Sequence, residues 1–194
     1  TSNVVLASRD IDTLNQLSNE INNNGGSSIA IKTDITNLDS CKNMIKESIE
    51  TFGKVDSLIL NAGISMWTRF DRITDISLFH KINEVNYQGS VNCVYSCIDE
   101  LKKNNGQIVA ITTAQALMGF PNASAYSASK HALHGFLETL QIEFGNTISV
   151  SNVYLGWIKG TNLRANALGP DGKKIGPSHH KHSSRAIDID DCTS

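Results

Sequence analysis

The chain has 194 residues, 40% of them hydrophobic, with a formal net charge of −2 and a pI near 6.3. That length and apolar content fit a single globular domain, residues 1–194, with enough side chains for a sizeable core. The near-neutral balance argues against nucleic acid as a partner, which calls for a basic excess on one face, and no run of about eighteen apolar residues is present to span a bilayer.

Two periods alternate along the chain. Val4 to Ala7 is short, apolar and β-branched, and so predicts a strand; Ile11, Leu14, Leu17 and Ile21 then recur at helical spacing until NNNGG. Ser8 and Arg9 close the first strand, and Asp10 is placed to cap the next helix. Ile29 to Lys32 predicts a second strand. Leu38 to Phe52 predicts a helix, with Cys41, Met44, Ile45, Ile49 and Phe52 as its stripe and Gly53 as its stop. Val55 to Leu60 is a third strand, Ile82 to Leu101 a long helix, and Gln107 to Thr112 a fourth strand. Ser124 to Phe144 predicts a helix and Ile148 to Leu155 a fifth strand. Alternation of apolar strands with helices predicts an α/β fold of the Rossmann type, a doubly wound parallel sheet flanked by helices.

Residues 156–186 change character, with glycines, prolines and no clean period, and are expected to form a loop over the substrate. The HHKH run at 179–182 lacks a nearby carboxylate or cysteine pair and reads as solvated loop, so no metal site is assigned. Cys41, Cys93, Cys97 and Cys192 form no CxxC pair, which suits a reduced intracellular setting. Cys93 and Cys97, four apart, read as buried apolar thiols. The chain opens almost directly in a strand and closes on IDIDDCTS, a cap and first turn, and is therefore expected to be a fragment. A cytoplasmic location and a membrane anchor upstream are both open.

In a parallel sheet ligands sit beyond the carboxyl ends of the strands, so the residues just after each strand are the candidates for chemistry. Ser8-Arg9 places a guanidinium where a dinucleotide fold meets the adenosine ribose; arginine matches a 2′-phosphate there, and a plain surface arginine is the alternative. Asn61-Ala62-Gly63 offers small residues for close approach of a flat ligand, with the Asn61 amide able to brace the neighbouring strand. Thr112-Thr113 ends the fourth strand. Thirteen residues beyond Thr113 stands Tyr126, with Lys130 one helical turn further on the same face.

These features in this order resemble the short-chain dehydrogenase/reductase family. Asn61-Ala62-Gly63, a strand-end hydroxyl, the Tyr126-Ser127-Ala128-Ser129-Lys130 motif and Asn86 in VNYQGS match its core over about residues 3–163. The tail, GWIKGTNL and then NALGPDGKKIG, is similar to the branch near the hydroxysteroid dehydrogenases. The resemblance implies an oxidoreductase that moves a hydride between nicotinamide C4 and a carbonyl or carbinol carbon, with NADP(H) preferred to NAD(H) on the strength of Arg9. Tyr126 is implied as the acid/base on oxygen, and a free phenol titrates near 10. Lys130 is implied to lower that pKa and hold the nicotinamide ribose, Thr113 to bond the substrate oxygen, and Asn86 to hold a water. Ser8, Arg9, Asp34, Asn61, Ala62, Gly63, Tyr126, Lys130 and Thr161 are implied at the cofactor.

Three departures stand out. Threonine replaces the usual serine at 113, Leu155-Gly156 replaces a Pro-Gly, and Thr161 stands one residue from its usual place. The glycine-rich pyrophosphate turn, with its strand and helix, is expected upstream of Thr1. Trp67, Phe70, Phe120, Trp157 and Leu163 are expected to line an apolar cavity for a small hydrophobic carbonyl or alcohol. The resemblance also implies a homodimer or homotetramer, with Val91, Val94, Ile98, Leu133, Phe136 and Leu140 as an apolar face, while core packing explains several of these residues equally well. The competing reading is a catalytically silent dinucleotide-fold binding protein, which loss of Tyr126 or Lys130 would have favoured.

Overall fold

The computed structural model describes residues 2–161, 163–177 and 186–188. The HHKH run, Cys192 and the IDIDDCTS ending, apart from Ile187 and Asp188, lie outside these residues. In chain order the elements are β1 (Asn3–Ser8), α1 (Ile11–Asn23), β2 (Ser27–Lys32), α2 (Leu38–Phe52) and β3 (Ser57–Leu60). Then come α3 (Ser77–Asn83), α4 (Gly89–Lys103), β4 (Gln107–Thr113), α5 (Ser124–Phe144) and β5 (Ser149–Leu155).

Helix ends arise from local chemistry. Asp10 caps α1 by accepting the Thr13 N–H, and Asn37 caps α2 by accepting the Ser40 N–H. Gly53 ends α2 at φ 81°, a left-handed conformation that a side chain disfavours. The expected Ile82–Leu101 helix differs from what is observed. Helix begins at Ser77, whose N–H is taken by the Asp75 carboxylate at 3.0 Å, because Leu78 and Ile82 extend the buried stripe backwards. A π turn, Glu84–Gln88, then joins α3 to α4 and carries Asn86. Such turns often mark functional sites.

All strand pairs are parallel. β1 pairs with β2, from Asn3↔Ser27 to Ser8↔Lys32. β4 lies between β3 and β5, with Leu58↔Ile108 on one side and Gln107↔Ser149 through Thr113↔Leu155 on the other. No pairing joins β1 to β3 among the described residues, so the sheet is interrupted there as the strand order implies. Helices hold the two parts together. Asn92 on α4 donates to the Ile35 carbonyl at 2.9 Å, and the Cys41 and Cys93 thiols meet at 3.9 Å between α2 and α4. Cys41, Met44, Ile45, Leu58, Leu60, Cys97, Leu101, Ile108 and Leu137 make one continuous core. Each large aliphatic buried this way contributes about 1.5–3 kcal/mol.

Two expectations change here. The proposed association face is largely interior: Val94, Leu133 and Leu140 are buried in this core, and Ile98 and Phe136 pack against it. A helical stripe has the same period whether it meets the protein's own core or a second subunit. The apolar strands are also not covered on every face, since Ile59 at the middle of β3 is 62% exposed while Leu58 and Leu60 are buried.

Candidate active site

At the carboxyl ends of β3, β4 and β5 lies a cavity of about 570 Å³. The sheet register explains it, because Thr113 and Leu155 are partners at the last rung of β4 and β5 and the chain leaves both strands at one level. Asn61, Gly63, Thr113, Tyr126, Lys130 and Thr161 all line this cavity. It therefore gathers six of the residues picked out from the sequence.

Tyr126 and Lys130 lie on the first turns of α5 and are buried, at 8% and 5% exposure. The Lys130 ammonium sits 5.9 Å from the centre of the Tyr126 ring. Burial sets both acidities. It raises the Tyr126 phenol above its usual value and pushes Lys130 down to about 8. No lowering of the phenol by Lys130 is seen here, where loss of water around the ring sets the direction. The Tyr126 phenol remains protonated at neutral pH, and so does most of Lys130.

Thr113 caps the short turn Ala114–Ala116, its Oγ1 accepting the Gln115 N–H at 3.5 Å, so the hydroxyl keeps its proton for donation into the cavity. Gly63 lies close under the pair. A Cβ at that position would meet Asn86 Oδ1 at 3.4 Å and Lys130 Nζ at 3.6 Å.

Asn86 does not line the cavity but builds its floor. Its Oδ1 accepts the Ile64 N–H at 2.8 Å, and its Nδ2 donates to the Ile64 carbonyl at 2.9 Å and to Ser129 Oγ at 3.0 Å. Ser129 in turn donates to the Tyr126 carbonyl at 2.8 Å. Both amide hydrogens of Asn86 are thus committed to protein partners. The chain leaving β3 is braced by Asn86 rather than by Asn61, whose side chain forms no such bond among the described residues. Ser129 is a link that residue pattern did not single out, since one serine inside a helix carries no signal of what it touches. Asn86→Ala removes three buried hydrogen bonds and should lower the unfolding free energy by about 3 kcal/mol. A urea midpoint unchanged within error would contradict this role.

The remaining candidates sit apart from the cavity. Arg9 comes just after β1 and is exposed, and its positive charge helps hold the Asp34 carboxyl below the usual range, after the larger effect of hydrogen bonds from Thr36. Ser8 Oγ accepts the Asp10 N–H at 3.2 Å. Ala62 lies exposed between Asn61 and Gly63. Ser8 ends β1 and Arg9 follows it, Asp34 follows β2, and Asn61, Ala62 and Gly63 follow β3; among the described residues neither Arg9 nor the buried Lys130 ammonium has a carboxylate in ion-pair contact.

Of the apolar residues expected in the cavity, Trp67, Phe120, Trp157 and Leu163 are present. Phe70 is not. It is 66% exposed and stacks edge-on against Phe79, with ring centres 6.1 Å apart. Met66, Met118, Gln115 and Arg164 also line the cavity, and their loop positions have no period from which this could be read.

A family profile described as short chain dehydrogenase matches residues 1–170. The chain belongs to that family. It is 40% identical over 133 residues to 11-beta-hydroxysteroid dehydrogenase-like 2 of Arabidopsis thaliana, a match covering 69% of this chain and 43% of that protein. The chain thus spans under half the length of this short-chain dehydrogenase relative. Among solved structures, a 7 alpha-hydroxysteroid dehydrogenase complexed with NADH and 7-oxo glycochenodeoxycholic acid superposes with a TM-score of 0.75 at 27% identity, over 81% of this chain and 62% of that one. An alcohol dehydrogenase of Thermococcus sibiricus complexed with 5-hydroxy-NADP has a TM-score of 0.78 at 24% identity, over 86% and 74% of the two chains, and shares the fold. No described helix of this short-chain dehydrogenase is long and apolar enough to cross a membrane.

Proposed function

We propose that this protein is an NADP(H)-dependent oxidoreductase that interconverts a carbonyl and a secondary alcohol, with Tyr126 as the general acid/base. One observation carries the reading: Tyr126 and Lys130 lie buried side by side in a cavity that also receives the Thr113 hydroxyl. Arg9 would hold the 2′-phosphate, Asp34 the adenine, Lys130 the ribose and Thr161 the carboxamide, with Ser8, Asn61, Ala62 and Gly63 along the path. When bound, NADP(H) supplies or accepts the hydride.

The chain's own residues handle the oxygen. Thr113 donates a hydrogen bond that orients the substrate carbonyl and polarises it. Tyr126, kept protonated by burial, gives its proton to that oxygen as the carbon is reduced, and the phenolate left behind faces the Lys130 ammonium. Asn86 and Ser129 position the tyrosine through its backbone and take no part in proton transfer. The aromatic wall of Trp67, Phe120 and Trp157 suits a hydrophobic substrate.

The reading is tested by NADPH consumption with a panel of hydrophobic ketones on the full-length protein; no turnover of any, with NADPH bound, would favour the silent binding protein. Cofactor choice has its own test. Arg9→Ala should weaken NADPH about 10- to 100-fold in a fluorescence titration and leave NADH nearly unchanged. A native preference for NADH would remove the role given to Arg9.

A further inference from the structure

Arg164 stands in the cavity wall where hydrophobic substrate recognition gives it no task. Its guanidinium carbon lies 5.1 Å from the Trp67 ring centre and 5.7 Å from that of Trp157, so the two indoles hold it between them. Trp157 is itself set edge-on against Phe120, ring centres 6.1 Å apart. The backbone beneath is fixed as well. Arg164 lies in the turn at 163–166, closed by the Ala167 N–H on its carbonyl at 3.2 Å. Three residues on from Ala165, Leu168 bridges to Met66, accepting the Trp67 N–H at 3.0 Å and donating to the Ser65 carbonyl at 2.9 Å. The arginine and one of its tryptophans are therefore carried on two segments tied to each other.

No carboxylate pairs with this arginine among the described residues, whereas Arg69, exposed on the same loop as Trp67, is held by Asp71 at 2.9 Å. A guanidinium held against aromatic rings still has N–H donors to offer, and its planar fork matches the two oxygens of a carboxylate. Among the described residues Lys130 is the other cation in the cavity wall, and it belongs to the reacting end. We propose that Arg164 is an anion-binding determinant, and that the substrate is a hydrophobic carbonyl compound bearing a carboxylate: the carbonyl at Tyr126, the apolar body along the tryptophans and the acid on Arg164. The location of the reacting carbonyl rests on the reductase reading; the anion site does not.

The chain's two tryptophans both flank Arg164, so their fluorescence reports the site without turnover. Levulinate and para-acetylbenzoate, each against its methyl ester, are titrated into the full-length protein and assayed as substrates with NADPH. The keto acids should quench the emission more tightly than the esters. Arg164→Gln should weaken binding of the acids about 10- to 100-fold, with the rise falling on KM, and leave the esters within about twofold. Arg164→Lys, which keeps the charge and loses the planar fork, should recover part of the acid affinity. Equal binding of acids and esters, or equal losses for both in Arg164→Gln, would overturn the anion site while leaving the reductase reading intact. Tight, Arg164-dependent quenching by the acids without reduction of either compound would uphold the anion site and overturn the reductase reading.

Discussion

Tyr126→Phe is expected to cut NADPH-dependent carbonyl reduction about 100- to 10,000-fold while leaving NADPH affinity and the fold close to native. The substitution removes one oxygen. The ring stays in the small core of Met66, Leu78, Ile82, Ala123, Ala125 and Leu168, so packing is preserved. Burial displaces the phenol upward, and Tyr126 lines the cavity with no hydrogen bond to its hydroxyl among the described residues. Removing that hydroxyl strands no buried partner, and stability should move by less than about 1 kcal/mol. The measurement is kcat and KM for one ketone with both proteins, alongside an NADPH titration. Retained kcat in Tyr126→Phe would take the proton-transfer role away from this residue.

Lys130→Met should separate activity from stability. Turnover is expected to fall at least about 100-fold, because the ammonium that would hold the ribose and face the phenolate is gone. Stability should rise. Burial depresses Lys130 from 10.5 to about 8, so the folded state disfavours its charged form by roughly 3 kcal/mol at neutral pH. Proton counting gives the direction with pH: between about 8 and 10.5 the unfolded chain holds the Lys130 proton and the folded chain has released it, so stability rises with pH across that window. Below about 8 both states are protonated and the full cost remains. Replacement by methionine, similar in length and apolar, abolishes both the cost and the pH rise. Urea melts at neutral and alkaline pH test this; a less stable Lys130→Met protein would mean that the ammonium is compensated within the fold.

How much of the fold and site was legible in residue order depends on the kind of signal. Helix α2 runs from Leu38 to Phe52 as expected, because an asparagine cap and a left-handed glycine are local devices written in single residues. The cavity set of Thr113, Tyr126 and Lys130 was legible because parallel strands end at one level and a fixed spacing places two side chains on one helix face. The π turn at Glu84–Gln88 was not, since one extra residue per turn leaves the apolar stripe almost unaltered. Whether Val94 and Leu133 meet the core or a second subunit was not legible, because the period that marks them as apolar does not say which surface they meet; burial places them in the core. The acidity of Tyr126 was read from its neighbour's charge, while burial, which depends on the whole fold, decided the direction. Arg164 was invisible because a cation between two indoles is brought together by chain segments about 100 residues apart, with no period linking them.

Direct transfer of the reacting hydrogen tests the central claim most closely. The full-length protein is incubated with a hydrophobic ketone and NADPH deuterated at the transferable position of the nicotinamide, and the alcohol is examined by mass spectrometry. One deuterium is expected on the carbinol carbon, delivered to a single face, with near-complete loss of the labelled alcohol in Tyr126→Phe. Alcohol formed without deuterium, or no alcohol from a protein that binds NADPH, would contradict it.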